Sequence, residues 1–310
     1  MGNVRPPHLL RFILLAFGLC LIAAHAAGQP RGAEMAPWRM GSPLKPGTAF
    51  GPLKVESIRN RPDPHWEMGV NVATFVDGAG RRGELAAVAT ASDATVAASD
   101  DVYATIGVGR IDPDSTEDQV LMTDFSLGAH CCVHIQLLDL VENTWRAVDV
   151  GTYDGEPFRD FPTDIDGDGV VDIVHYDDRF AYAFGCYACS WMPPRIFNVR
   201  KGKVIDVSAE PRYRKLFEVD YAKAKAECEK PQFDGAYTSG YCAGMVADGV
   251  RLGLGDEAWT IALKTVKDNA AEWPEGCRIT PTKGACPKDQ TLRFANYESG
   301  LRWFLVHNGY

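Results

Sequence analysis

The sequence predicts an α+β protein: a β-rich repeat module followed by a small, disulfide-stapled helical module. Three observations carry that expectation. Apolar residues alternate with a period of two from Trp66 to Val76. Two separate blocks recur at one common offset of 57 residues in the middle of the chain. Beyond Pro211, apolar residues recur at helical spacing among cysteines placed to pair locally.

The first residues read as an export signal. Arg5 and Arg11 supply positive charge, Phe12 to Ala24 is an apolar run, and Ala24-His25-Ala26 has the small-x-small spacing that signal peptidase requires. A run of 13 residues is shorter than the roughly 18–20 that cross a bilayer as a helix. Residues 1–27 are therefore expected to be removed, leaving no membrane span and a periplasmic or secreted protein. The remaining chain of about 280 residues sits near the upper limit of a single hydrophobic core, about 250–300 residues, so two modules are expected.

The full chain carries 32 basic and 41 acidic residues, net −9, and the leader contributes two arginines and no acid. A chain this acidic, without a basic stripe, excludes nucleic acid and anionic lipid as partners. It suits cations. Of the nine cysteines, Cys20 lies in the leader. The other eight form an even set, which in an exported protein reads as disulfides.

Residues 28–52 contain Pro30, Pro37, Pro43, Pro46 and Pro52 and read as an extended linker. The β-rich domain is expected over residues 53–210. Its first strand, Trp66 to Val76, closes at the turn Asp77-Gly78-Ala79-Gly80. Leu85 to Asp101 fits strand, helix and loop equally. In the repeat, Gly128-Ala129-His130-Cys131-Cys132 aligns with Gly185-Cys186-Tyr187-Ala188-Cys189, and Val148-Asp149-Val150 aligns with Ile205-Asp206-Val207. An acidic turn precedes each copy. A unit of about 50–60 residues rich in short strands has the size of a propeller blade or a four-stranded repeat. Val120 to Met122, Val133 to Leu138 and Ile173 to Tyr176 are its expected strands. The helical domain is expected over residues 211–310. Phe217, Tyr221, Ala224 and Cys228 make one face; Asp256 caps a helix burying Trp259, Leu263 and Val266; Tyr297, Leu301, Phe304 and Leu305 make a third, stopped near Gly309.

The chemistry concentrates in Thr163 to Tyr176, TDIDGDGVVDIVHY. Asp164, Asp166, Asp168 and Asp172 take positions 1, 3, 5 and 9 of a loop, and Val170 at position 7 can offer its carbonyl. Such oxygen donors wrap a hard cation of calcium's size. Two carboxylates about 4 Å apart repel by about 4 kcal/mol at an effective dielectric near 20, and a divalent ion converts that repulsion to attraction. An EF-hand loop would need an acid at position 12, where His175 stands, and would continue as a helix. The pattern D-x-D-x-D-G-x-x-D before a β-branched run resembles the calcium loops of FG-GAP (VCBS-type) repeat proteins. The resemblance covers residues 112–208. It implies propeller-blade-like folding, with structural Ca2+ held by the side chains of Asp164, Asp166, Asp168 and Asp172 and the carbonyl of Val170. The first copy departs from the pattern: Asp112 and Asp114 are present, but Thr116 and Val120 replace the later acids.

On a strand, His130, Cys132 and His134 would share one face. With Cys186 and Cys189 near, they could hold a soft metal, or the four sulfurs could pair, Cys131 and Cys132 with Cys186 and Cys189. Cys228 with Cys242 and Cys277 with Cys286 are expected as local pairs. Trp191-Met192-Pro193-Pro194 fits an exposed apolar lip and a buried strand end equally. No G-x-S-x-G, H-E-x-x-H, P-loop or G-x-G-x-x-G is present. The expected function is non-catalytic: an exported calcium-binding scaffold or binding protein for an unidentified protein or glycan. The alternative is a metal-dependent or carbohydrate-active enzyme using the His130/Cys132/His134 face or a cleft near the calcium loop.

Overall fold

The computed structural model describes residues 36–37, 45–64, 66–88, 104–125, 131–230, 236–267, 275–279 and 286–310. The expected signal segment and His130 lie outside the described residues, as does Leu85 to Asp101 beyond Val88. No helix among the described residues is long and apolar enough to cross a membrane.

Three antiparallel sheets follow one another along the chain. The short β1 (Ala36–Pro37) and β2 (Ala49–Phe50) precede the long β3 (Leu53–Asp63) and β4 (Trp66–Asp77), and β5 (Arg82–Val88) completes the order β2-β3-β4-β5. Residues 45–52, expected as linker, thus belong partly to a sheet: Phe50 packs edge-on against Phe75, with ring centroids 6.3 Å apart. The second sheet runs through β6 (Ala104–Gly109), β7 (Gln119–Phe125), β8 (Cys131–Val141) and β9 (Thr144–Asp154), with β1 on the outer side of β6. The third contains β10 (Ile173–Tyr176), β11 (Pro194–Arg200) and β12 (Lys203–Asp206).

Alternation of side chains stacks these sheets. Val120, Met122, Leu138 and Leu140 face one way and meet Leu53, Val55, Phe75 and Leu85 of the first sheet. Leu121, Val133, Ile135 and Leu137 face the other way and meet Ile173, Phe197 and Val199 of the third. The second sheet is therefore buried on both faces, which is why β7 and β8 read as nearly continuous apolar runs. In the third sheet, Val174 and Ile196 point away from Ile173 and Phe197, into a core shared with the helices. The Asp112 turn is followed by a three-stranded meander, β7-β8-β9, and the Asp164 loop by another, β10-β11-β12.

The helices are α1 (Arg214–Glu229), α2 (Ala236–Leu252), α3 (Gly255–Thr265) and α4 (Tyr297–His307), with a small pair β13 (Gly276–Cys277) and β14 (Thr291–Leu292) before α4. In α1, Phe217, Tyr221, Ala224 and Cys228 are buried as the spacing requires. In α4, Tyr297, Leu301, Phe304 and Leu305 are buried, Asn296 and Ser299 form a capping box, and Gly309 follows at φ +83°. The third helix departs from expectation. It starts at Gly255 without a side-chain cap, so Asp256 lies inside its first turn; Val266 is buried as expected, but Ala258 and Ala262 complete the buried stripe. Leu263 turns to solvent, and Trp259 instead carries the Arg302 guanidinium 4.3 Å above its ring.

Disulfides Cys228–Cys242 and Cys277–Cys286 form the expected local pairs. The expected cross-links from Cys131 and Cys132 to Cys186 and Cys189 do not form, because Cys186 and Cys189 bond each other across a single 3-10 turn. Glycines let α2 approach that turn: a methyl at Gly240 would strike the Cys189 carbonyl, and one at Gly244 would strike Trp191.

Candidate functional site

The Asp164 loop hangs between the end of the second sheet and the start of the third. An isolated bridge between Thr163 and Asp172 closes its neck, with Asp172 N–H donating to the Thr163 carbonyl at 3.0 Å. Gly167 and Gly169 turn the chain at φ +82° and +87°, conformations that a side chain would strain. That curvature aims successive amides inward. Asp164 Oδ1 accepts from Gly167 N–H at 2.7 Å and Asp168 N–H at 3.2 Å, and its Oδ2 accepts from Gly169 N–H at 2.8 Å.

Three carboxylates converge: ligand oxygens of Asp164, Asp166 and Asp172 all lie within 4.8 Å of one another. Their environments differ. Burial acts to raise the Asp164 pKa, but the amides of Gly169 and Gly167, then the Asp166 carboxyl and the Asp168 amide, outweigh it and hold the carboxyl below its usual range. At Asp166, burial together with the negative charges of Asp168 and Asp172 wins, and the pKa is raised. The Asp166 side chain is 5% exposed, and its Oδ2 is buried without a hydrogen bond. Arg212 Nε comes within 3.0 Å of that oxygen as an ion pair, so the contact is electrostatic and the hydrogen-bonding capacity stays unfilled. Asp172 is the buried root of the site. Its Oδ2 accepts from Ile165 N–H at 2.9 Å, and its Oδ1 accepts from the Tyr213 hydroxyl at 2.5 Å and Asn198 Nδ2 at 2.8 Å. Burial, followed by that bond to Asp172, raises the Tyr213 phenol pKa.

Asp168 does not join the convergence. Its Oδ1 accepts from Val170 N–H at 2.8 Å and its Oδ2 meets Arg212. Val170, whose carbonyl was expected as a donor, has its side chain buried beneath the loop. Arg212 bridges Asp166, Asp168 and Glu210 and reaches Asn198 Oδ1 at 3.0 Å. One guanidinium from the approach to α1 therefore supplies part of the positive charge the loop needs. Sequence reasoning missed Arg212, Tyr213 and Asn198, because they reach the loop from 26 to 46 residues away. The signal available was the position of Arg212 and Tyr213 immediately before α1; nothing in the sequence marked Asn198.

The Asp112 turn is built differently. Asp112 is fully buried, and its oxygens accept from Asp114 N–H and from Gly202 N–H, both at 2.9 Å. Asp139 stands beside it with Oδ1 on Gln119 Nε2 at 3.0 Å and Oδ2 lacking a donor. Burial and the neighbouring Asp112 carboxylate push the Asp139 pKa up to about 6. Among the described residues this pair gathers no third ligand.

The histidine face carries no thiolates among its described members. Cys132 is disulfide-bonded, as are Cys186 and Cys189. His134 lies with Nε2 3.1 Å from Asp149 Oδ1 and Nδ1 3.6 Å from Asp124 Oδ1. Burial acts to lower its pKa, and the two carboxylates, Asp124 foremost, overcome it and raise the value. The arrangement is a carboxylate-held imidazole.

Comparison with known proteins identifies relatives of this chain. Over 217 residues, 68% of this chain, it is 34% identical to the uncharacterized protein y4bJ of Sinorhizobium fredii, the match spanning 33% of that protein. Over 210 residues, 67% of this chain, it is 28% identical to the probable thylakoid lumen protein sll0997 of Synechocystis, spanning 60% of it. The chain thus corresponds to about a third and three-fifths of these relatives. No solved structure matches. Residues 217–309, running from the first turn of α1 to the stop after α4, match the family described as the sll0997 C-terminal domain.

Proposed function

We propose that this is an exported, non-catalytic binding protein whose Asp164 loop holds a structural calcium ion. The observation that carries the reading is the buried, unsatisfied Asp166 Oδ2, set in a convergent triad with Asp164 and Asp172. A hard cation satisfies all three carboxylates at once, in the way oxygen-only sites hold calcium. The ion would compete with Arg212 for Asp166 and leave Arg212 to Asp168 and Glu210.

Export is supported by the leader-like N-terminus, by disulfides that persist in oxidising compartments, and by the relative named for the thylakoid lumen. A periplasmic or secreted location follows from the same features. The FG-GAP-like reading draws support from consecutive antiparallel meanders stacked face to face, the third introduced by the acidic loop. An enzymatic role for the histidine face draws less support, since the described sulfurs around it are oxidised.

Thermal melting tests the reading. Free calcium at a hundred times its Kd adds about 2.7 kcal/mol to stability, so the melting temperature rises with calcium and falls with EDTA. Identical melting curves in millimolar calcium and in EDTA refute it.

A further inference from the structure

A cavity of about 480 Å³ lies beside the loop, between the third sheet and the start of α1. Its walls do not look like solvated surface. The buried face of α1 is Phe217, Tyr221, Ala224 and Cys228, so the residues turned from it should be polar. Instead Leu216 and Val219 line the cavity, with Asp220 and Lys223 completing one i, i+3, i+4, i+7 stripe. Opposite them stand Ile165 from the loop and Tyr176 from the end of β10. Val219 is 52% exposed, Tyr176 55% and Ile165 43%, so three of the chain's conspicuous exposed apolar side chains converge on one concavity.

The charge around this surface is unevenly committed. Of the two acids in the lining, Asp166 belongs to the loop and Asp220 accepts from the Trp191 indole N–H at 2.8 Å. Of the three cations, Arg212 is held by Asp166, Asp168 and Glu210. Lys215 and Lys223 line the cavity and have no ion pair or hydrogen bond with any other described residue. The lining thus carries three cations against two acids, and its two lysines are open to an occupant, in a chain of net −9. Both lysines ride on α1, eight residues apart, or about 12 Å along its axis. A compact polyanion at either lysine would leave the apolar wall between them wet.

From this juxtaposition we infer that the cavity binds an elongated amphipathic organic anion: an apolar or aromatic body along Leu216, Val219, Ile165 and Tyr176, with its acidic group on Lys215 or Lys223. The volume falls in the range of small-molecule sites, about 300–1,000 Å³, and the pattern of mostly apolar walls with few polar anchors is theirs. The inference names a ligand class for the binding protein proposed above. It rests on that reading, but it does not require the metal.

The test uses the full chain and two probes, 1-anilinonaphthalene-8-sulfonate and its uncharged analogue N-phenyl-1-naphthylamine, titrated by fluorescence in calcium and again in EDTA. The sulfonate is expected to bind at one site, at least tenfold tighter than the neutral probe. K215E/K223E should reduce sulfonate affinity to that of the neutral probe and leave the neutral probe unmoved. V219N, which removes apolar wall without adding charge, should weaken both severalfold. Melting temperatures of the variants verify that these surface changes leave the fold intact, and K215A/K223A repeats the charge test if the reversal unfolds the chain. Equal affinity for the two probes, no one-site binding, or sulfonate binding indifferent to these substitutions overturns the inference. Binding that persists while calcium leaves the melting curve unchanged refutes the metal reading alone. The converse pattern refutes the ligand.

Discussion

Asp139 shows how a single carboxylate can report on the packing of two sheets. It stands on β8 beside the buried Asp112, whose own Oδ2 is held by the Gly202 N–H from the turn between β11 and β12. With both acids ionised, Asp139 Oδ2 has no donor; a proton on Asp139 supplies the missing bond. Its folded-state pKa of about 6 lies above the ordinary aspartate value near 3.9. The folded chain therefore holds that proton more tightly than the unfolded one. The stabilisation is complete below about pH 4 and is lost as pH rises to about 6, at most about 3 kcal/mol in all. Asp139→Asn supplies a permanent donor. Urea unfolding of this variant should show no decline from this site across pH 4–6 and, at pH 7, stability at least equal to that of the parent. A variant that is several kcal/mol weaker at pH 7 would contradict the pairing.

The elements meet through two local devices. Gly240 lets α2 lie against the Cys186–Cys189 turn, and an added methyl there meets the Cys189 carbonyl. Alanine would gain up to about 1 kcal/mol in helix propensity, but overpacking against backbone costs about 1–3 kcal/mol. Gly240→Ala should therefore lower stability on balance, and calorimetry showing a raised melting temperature would contradict this packing. The Cys228–Cys242 bond closes a loop between α1 and α2 with a sequence separation of 14. A loop of that length constrains the unfolded chain by about 3 kcal/mol. Replacing both cysteines by serine should cost at least about 2 kcal/mol in urea unfolding, since both positions are fully buried. Little or no loss would mean the bond does not form in solution.

At the scale of the molecule, what could be read in advance follows physical range. Local rules sufficed for α1, from its buried stripe, for α4, where stripe and stop at Gly309 agree, for the strand from Trp66, and for the two disulfides that span short loops. They held only in part for α3, where Val266 is buried and Trp259 half-buried as expected, but Leu263 is exposed and Ala258 and Ala262 fill the face instead. They failed for Cys186 and Cys189, because a three-residue turn made the nearest sulfur the partner. At the candidate site, the spacing of the aspartates was legible and their shared curvature followed from Gly167 and Gly169. The roles of Arg212, Tyr213 and Asn198 were not, because they reach the loop only after the third sheet and α1 have docked. Through Tyr213 and Asn198, Asp172 ties the loop to α1 and β11. An ion bound there would brace both modules.

The central claim is that the Asp164, Asp166 and Asp172 oxygens hold calcium, and isothermal titration of calcium into the chelator-stripped protein tests it most directly. The account predicts binding at one site, abolished by Asp166→Asn while the variant remains folded. No heat at millimolar calcium, or equal binding by the Asp166→Asn variant, would contradict it.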